Sequence, residues 1–226
     1  HTRLQGDWSS DVCSSDLIMN SIVNILSTIP SSYFYYKLNK EMETIQTKKL
    51  ALNSTALFHA SSSVFLGLNY LRSKSYSSLI RTNTGGYVLF DLYYIINYGK
   101  YDLLRMMYIY HHLAVYSYML LPKTLYHWPY VVFYAELSNI PNYLVYYSLK
   151  QDASKKLWKG YKSRTTKNLM KLQMYTYGFF RILVLGYFTY LELKGNHRKP
   201  IPIYMTSMLY IFGLIWFGVM AKQNMK

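Results

Sequence analysis

Two adjacent histidines, His111 and His112, stand at the centre of RMMYIYHHLAVYSYMLL (105–121), a run otherwise apolar enough to lie in hydrocarbon. Imidazoles there could accept or donate protons, bind a metal, or act as nucleophile and base. A charged group at mid-bilayer costs roughly 2.5–3.5 kcal/mol even on a lenient insertion scale, so each one needs a partner or a cavity. Other apolar runs carry the same kind of residue: His59, Asp91, Glu136 and Arg181. Positions three and four apart share a helical face. That spacing predicts polar stripes of Thr55, His59, Ser62 and Ser63, of Tyr87, Asp91, Tyr94 and Tyr98, and of Tyr108, His111, His112 and Val115, with Glu136, Asn139 and Tyr143 as a fourth and Tyr177 and Arg181 as a fifth. One wet stripe per helix predicts a shared polar interior. A plainer account is open for some members. His59 or Asp91 alone can be an interhelical hydrogen bond, and Glu136 and Arg181 can neutralise each other. The paired histidines resist that account, because two adjacent imidazoles cannot both face lipid cheaply and neighbouring helices offer carboxylates to orient them. His127 falls at the edge of a run and His197 in a loop, where both read as interfacial.

The elements that must position these groups are seven runs near the length needed to span a bilayer: Ile18–Tyr36, Leu50–Leu71, Gly85–Tyr98, Met106–Leu121, Trp128–Leu149, Leu172–Leu193 and Ile203–Ala221. The third and fourth are short, and the first contains Pro30 and several Ser and Asn. The mean hydropathy is near zero, which argues against a membrane chain until its 27 tyrosines are counted, since their rings suit an interface or a bundle core. Residues 1–17 differ from everything downstream. Their Ser/Asp-rich HTRLQGDWSSDVCSSDL resembles translated sequencing-adaptor read-through, so native coding is expected to begin near Leu17 or Ile18, leaving 18–226 as a single transmembrane domain without repeats. The only cysteine, Cys13, lies in that segment, so the remainder offers no disulfide, thiol nucleophile or cysteine metal site.

Setting aside Arg3 and Asp7, Asp11 and Asp16 leaves 24 Lys and Arg against 7 Asp and Glu. The basic residues sit in short clusters between apolar runs, a membrane pattern rather than a nucleic-acid one. With seven spans and Arg181 inside one of them, 16 of the other 23 fall on one side and 7 on the other, which predicts a cytoplasmic C-terminus. The sequon Asn53-Ser54-Thr55 then faces the cytoplasmic edge and stays unglycosylated.

GYVLFD (Gly86–Asp91) opening one run, HHLAVYSY in the next, ELSNIPN (Glu136–Asn142) after that and YGFFRIL in a later run occur in an order that together resembles the TLC domain, over roughly Thr47 to Ala221. The family includes the ceramide synthases. The resemblance implies an all-α bundle of six to seven transmembrane helices around a polar, lipid-accommodating cavity, in the endoplasmic reticulum or a related endomembrane. It also places His111 and His112 at an acyl-transfer site. The chain lacks the Leu-His-Asp-x-x-Asp stretch of ceramide synthases after the histidines. It is more similar to the smaller TLC-domain proteins, which are associated with membrane lipid composition and trafficking.

Two functions follow as expectations. The first is an acyltransferase-like enzyme of lipid metabolism: His111 or His112 is the base or the acylated group, Asp91 sets tautomer and basicity, and His59, Tyr87, Tyr94, Glu136, Asn139 and Arg181 bind substrate. No resident cofactor or metal is expected. Acyl-CoA is a conceivable co-substrate, attracted by the basic loop Lys150–Lys171, whose ordinary explanation is the positive-inside bias. The second is a non-catalytic protein whose cavity holds a lipid headgroup and regulates membrane lipid. Membrane lipids are the expected partners and nucleic acid is not; a homo-oligomer is compatible with either. One His-His pair is too few for a membrane di-iron oxygenase, and the last run has no lysine for retinal. Transport finds no support in an inverted repeat.

Overall fold

A computed structural model describes residues 14–98, 102–120, 128–154, 162–195 and 200–224, and all regular structure among them is helical. The helices are α1 (Ser14–Ile45), α2 (Lys48–Ser73), α3 (Ser77–Tyr98), α4 (Leu103–Leu120), α5 (Trp128–Ser154), α6 (Arg164–Tyr177), α7 (Leu185–Gly195) and α8 (Pro200–Asn224), with a π-helical segment, Gly178–Val184, joining α6 to α7 without a break. Counted as rods, these are seven, one for each apolar run. Most rods outrun their apolar segments. Thus α3 begins at Ser77, eight residues before Gly85, and α1 continues nine residues past Tyr36. The apolar stretch marks what can lie in hydrocarbon, whereas the helix runs on until a cap or a breaker stops it.

The stops are local. Thr47, extended at φ −65° and ψ 149°, precedes α2, and Lys74 ends it at φ 56°, donating its N–H to the Tyr70 carbonyl at 2.8 Å. Tyr76 also has positive φ, 71°, so this turn holds two non-glycine residues in a costly backbone region. Ser163 caps α6 by accepting from the Thr166 N–H. Asp152, near the end of α5, accepts from the Ser163 N–H at 2.8 Å and from the Thr166 hydroxyl at 2.5 Å; Ser148 and Thr166 lie 2.6 Å apart. The expected basic loop Lys150–Lys171 is therefore shorter than the charge pattern suggested. Lys150–Ser154 belongs to α5 and Arg164–Lys171 to α6, because buried Asp152 and Thr166 clamp both helices across the turn, and residues 155–161 lie outside the described set.

The packing makes a ring. Helix α2 lies on α3 and α5, α3 on α4, α4 on α8, and the α6–π–α7 rod between α8 and α5; α1 packs outside, mainly against α3 and α2. The α1–α3 contact is close because of Gly85 and Gly86. A Cβ on Gly86 would stand 2.8 Å from the Ser31 backbone carbon, so only glycine lets these backbones approach. Two apolar clusters flank the ring's interior: Tyr35, Ala56, Tyr87, Phe90 and Tyr94 towards one end, and Ile80, Tyr118, Met119, Trp128 and Val132 towards the other. Polar side chains are buried as well, among them Thr55, His59, Ser63 and Ser138. Val23, Leu26, Ile29 and Phe34 of α1, Phe58 and Phe65 of α2, Phe179, Leu183 and Tyr187 of the rod and Ile211 and Ile215 of α8 are exposed. Among the described residues no helix is long and apolar enough to cross a membrane, as Ser, Asn and Tyr interrupt every apolar run.

Candidate functional site

The ring surrounds a half-open cavity of about 560 Å³, lined by all six of its rods and, among the described residues, by none of α1. Helix α3 supplies Thr84, Tyr87 and Asp91 at spacings of three and four, and α4 supplies Tyr108, His111 and His112. Helix α5 adds Glu136, Asn139, Asn142 and Tyr143, α2 adds His59, and the rod adds Tyr177 and Arg181. The apolar part of the lining comes largely from α8, through Leu209, Phe212, Trp216 and Met220.

Within it, the two histidines differ. His112 Nε2 lies 2.7 Å from Asp91 Oδ2, and its Nδ1 lies 2.8 Å from the Tyr108 carbonyl. Both ring nitrogens thus face acceptors, so the ring carries two protons or shares one with Asp91. His111, on the same turn, has its Nδ1 buried with no hydrogen-bond partner, and its ring meets that of His112 edge-on at 5.5 Å. A proton acceptor needs an unengaged nitrogen, which of the two only His111 has.

His59 is stacked on Tyr87, centroids 4.0 Å apart and planes within 7°, with Nε2 3.1 Å from Ser63 Oγ. Its Nδ1 hydrogen-bonds nothing and lies 3.8 Å from Glu136 Oε2. Arg181 bonds other residues of α5 rather than Glu136. Its Nε donates to Ser138 Oγ at 3.0 Å and its Nη2 to the Asn139 Oδ1 at 3.1 Å and the Ala135 carbonyl at 3.3 Å. Asn139 in turn donates to Glu136 Oε2 at 3.1 Å. Among the described residues no ion pair joins Arg181 to Glu136, so in place of the direct neutralisation open to them the two are linked through one amide. The π segment widens the rod where Arg181 leaves it, a distortion that commonly marks functional positions.

A second, narrower cavity of about 80 Å³ shares Thr84, His111, Val115, Glu136, Arg181, Leu209 and Gly213 with the first. It runs from that layer to Tyr118, Met119 and Val132, where the apolar core closes it.

Of the expected site residues, His111, His112, Asp91, His59, Tyr87, Glu136, Asn139 and Arg181 line the one cavity. Tyr94 does not. Its hydroxyl accepts from Asn39 Nδ2 at 2.8 Å and donates to Glu43 Oε1 at 3.2 Å, tying α3 to α1, because one helical face can be buried against two different neighbours along its length. Thr84 and Asn142 were not singled out. Thr84 stands three residues before Tyr87 and Asn142 three after Asn139, so extending either stripe by one turn finds them. Asn53 of the sequon donates to the Tyr143 carbonyl at 3.1 Å, inside a helix. His127 and His197 lie outside the described residues. Among the described residues no three His, Cys, Asp or Glu side chains come together as a metal site requires. Comparison with known protein families, curated proteins and solved structures gave no match to this chain.

Proposed function

We propose that this chain is an integral membrane protein of lipid metabolism or membrane-lipid homeostasis, whose ring cavity receives the polar part of a lipid at His111. One observation carries the reading: ionisable groups from five of the ring's six rods, all but the apolar α8, converge on one cavity inside a molecule whose outer faces are apolar. A water-soluble monomer rarely exposes apolar surface on this scale. In lipid the same surface is solvated, and the polar interior is what must be sheltered. Helix α2 has 26 residues, about 39 Å at 1.5 Å per residue, longer than the ~30 Å hydrocarbon core. Its Asn53 bonds to α5 and its Ser62 and Ser63 to Asn83 of α3, so a summed hydropathy counts as polar side chains that are used between helices. The basic α5–α6 end then lies in the cytoplasm, in an endomembrane such as the endoplasmic reticulum.

The TLC resemblance supplies the reaction class, acyl transfer, and the geometry divides the work. His111 takes the proton from a substrate hydroxyl or amine as that atom attacks a thioester carbonyl, and returns it to the departing thiolate. His112, held on both sides, stays put as a fixed donor pair with Asp91. A second reading is non-catalytic: engagement of both His112 nitrogens also suits a cavity that only holds a headgroup.

A whole-cell lipidome separates the two. Cells expressing the full chain are compared with cells expressing His111→Ala and the His111→Ala, His112→Ala pair at matched membrane levels. A lipid class that shifts only with intact His111 supports the enzyme. The same shift from all three forms overturns catalysis and leaves the holding function, and no shift at all overturns both.

A further inference from the structure

We infer that the cavity recognises a zwitterionic headgroup, with its ammonium group at Glu136 and its anionic group at Arg181; this rests on the lipid-cavity reading above. The argument begins with how charge is arranged. The cavity holds two pairs of opposite formal charge. One is in contact, His112 and Asp91 at 2.7 Å. The other is held apart: Glu136 and Arg181 bond opposite ends of the Asn139 amide, at 3.1 Å each, and make no ion pair with each other. Two opposite charges facing one low-dielectric cavity attract strongly, and a protein that keeps them a full amide group apart forgoes that contact. A ligand with one charge of each sign completes both. An anionic ligand would satisfy Arg181 and lie against the Glu136 carboxylate, and a cationic one would do the reverse.

The remaining polar atoms agree. Asn142 Oδ1, beside Asn139, and His59 Nδ1, 3.8 Å from Glu136, both lack hydrogen-bond partners, which places hydrogen-bonding capacity near the carboxylate. Thr84 Oγ1 and His111 Nδ1 are likewise unengaged and line the part of the cavity shared with Arg181. His59 and Thr84 are almost wholly buried, so these are not solvent-facing atoms. At the ~30 Å³ that a water takes in the liquid, about 560 Å³ holds roughly nineteen such groups, room for a headgroup and the start of a chain.

The test is equilibrium binding of three single-chain amphiphiles of equal length to the purified full chain in detergent: an ethanolamine lysophospholipid, a lysophosphatidic acid and an alkylamine. The zwitterion is expected to bind about tenfold or more tighter than either singly charged probe, from one added charge-assisted bond. Glu136→Gln should abolish that preference over the anionic probe, and Arg181→Gln should abolish it over the alkylamine. Equal affinity for all three in the unaltered chain, or an order unchanged by both substitutions, overturns the inference while leaving a lipid cavity in place. If none of the three binds above the detergent background, the lipid-cavity reading falls and the inference with it. The headgroup order of the unaltered chain decides the matter even if a variant fails to fold.

Discussion

His112 Nε2 meets Asp91 Oδ2 at 2.7 Å across the α3–α4 contact, while the other ring nitrogen is taken by the Tyr108 carbonyl. The pair is mostly buried and joins two helices, so no spacing within one helix encodes it, although the expected role of Asp91 in setting tautomer and basicity calls for such a contact. Its consequence is that the two neighbouring histidines are not equivalent, and that each half of the pair depends on the other.

Removing Asp91 alone leaves an imidazole built for two acceptors with one, and removing His112 alone leaves a buried carboxylate. Breaking a buried pair costs about 3–5 kcal/mol, somewhat less here because both partners retain some exposure. Asp91→Leu and His112→Leu are each expected to lower the thermal midpoint in detergent strongly, and the double variant by less than the two combined, with a coupling of about 1–3 kcal/mol. Simple additivity would show that the contact contributes nothing.

Glycine positions separate backbone proximity from cavity access. Gly86→Val drives a Cβ to within 2.8 Å of the Ser31 backbone and is expected to cost about 1–3 kcal/mol or more by forcing α1 away from α3. A Cβ on Gly213 would meet only the Arg181 carbonyl, at an ordinary contact distance of 3.9 Å, and Gly213 lines both cavities. Gly213→Leu should therefore fold, and fill the narrow cavity instead. Unfolding curves and bound-lipid content, measured on both variants, should show Gly86→Val losing stability and Gly213→Leu losing lipid.

Much of this was legible in the residues. Seven apolar runs became seven rods, and the three- and four-residue spacing of Tyr87, Asp91, His111, His112, Glu136 and Asn139 named one face of each helix correctly. Spacing gives a face but not what covers it. Tyr94 shares the face of Asp91, yet α1 lies across its end of α3 and takes it out of the cavity. Arg181 reaches Asn139 and Ser138 from a π segment, packed against α5 and α8, that the apolar pattern does not mark.

The α5–α6 turn should be sensitive to single hydroxyls. Thr166 is fully buried, donates to Asp152 at 2.5 Å and pairs with Ser148 at 2.6 Å. Thr166→Val keeps the shape and strips the hydroxyl, which should cost about 1–3 kcal/mol. Ser163→Ala removes only the cap and should cost about 1 kcal/mol. Limited proteolysis should cut between residues 154 and 163 faster in Thr166→Val than in Ser163→Ala; the opposite order would make the cap, not the buried hydroxyl, the main clamp.

Glu43, beyond the apolar run of α1, makes stability depend on pH. Burial works against its charge, but bonds from Lys40 and Asn39 at 2.8 Å outweigh it and hold the carboxyl below its ordinary 4.5. A folded-state value below the unfolded one means that the stabilisation is fully present above 4.5 and is lost as pH falls through the folded value. Lys40 is exposed and its ion pair with Glu43 contributes little, whereas Asn39 and Tyr94 extend the bonding into the α1–α3 seam. Glu43→Gln should thus lower the thermal midpoint at neutral pH and leave it nearly unchanged below that range. Parallel unfolding curves at the two pH values would check this. An equal loss at both would mean that Glu43 acts through the shape of its side chain, because a glutamine keeps the shape and loses only the charge that titrates.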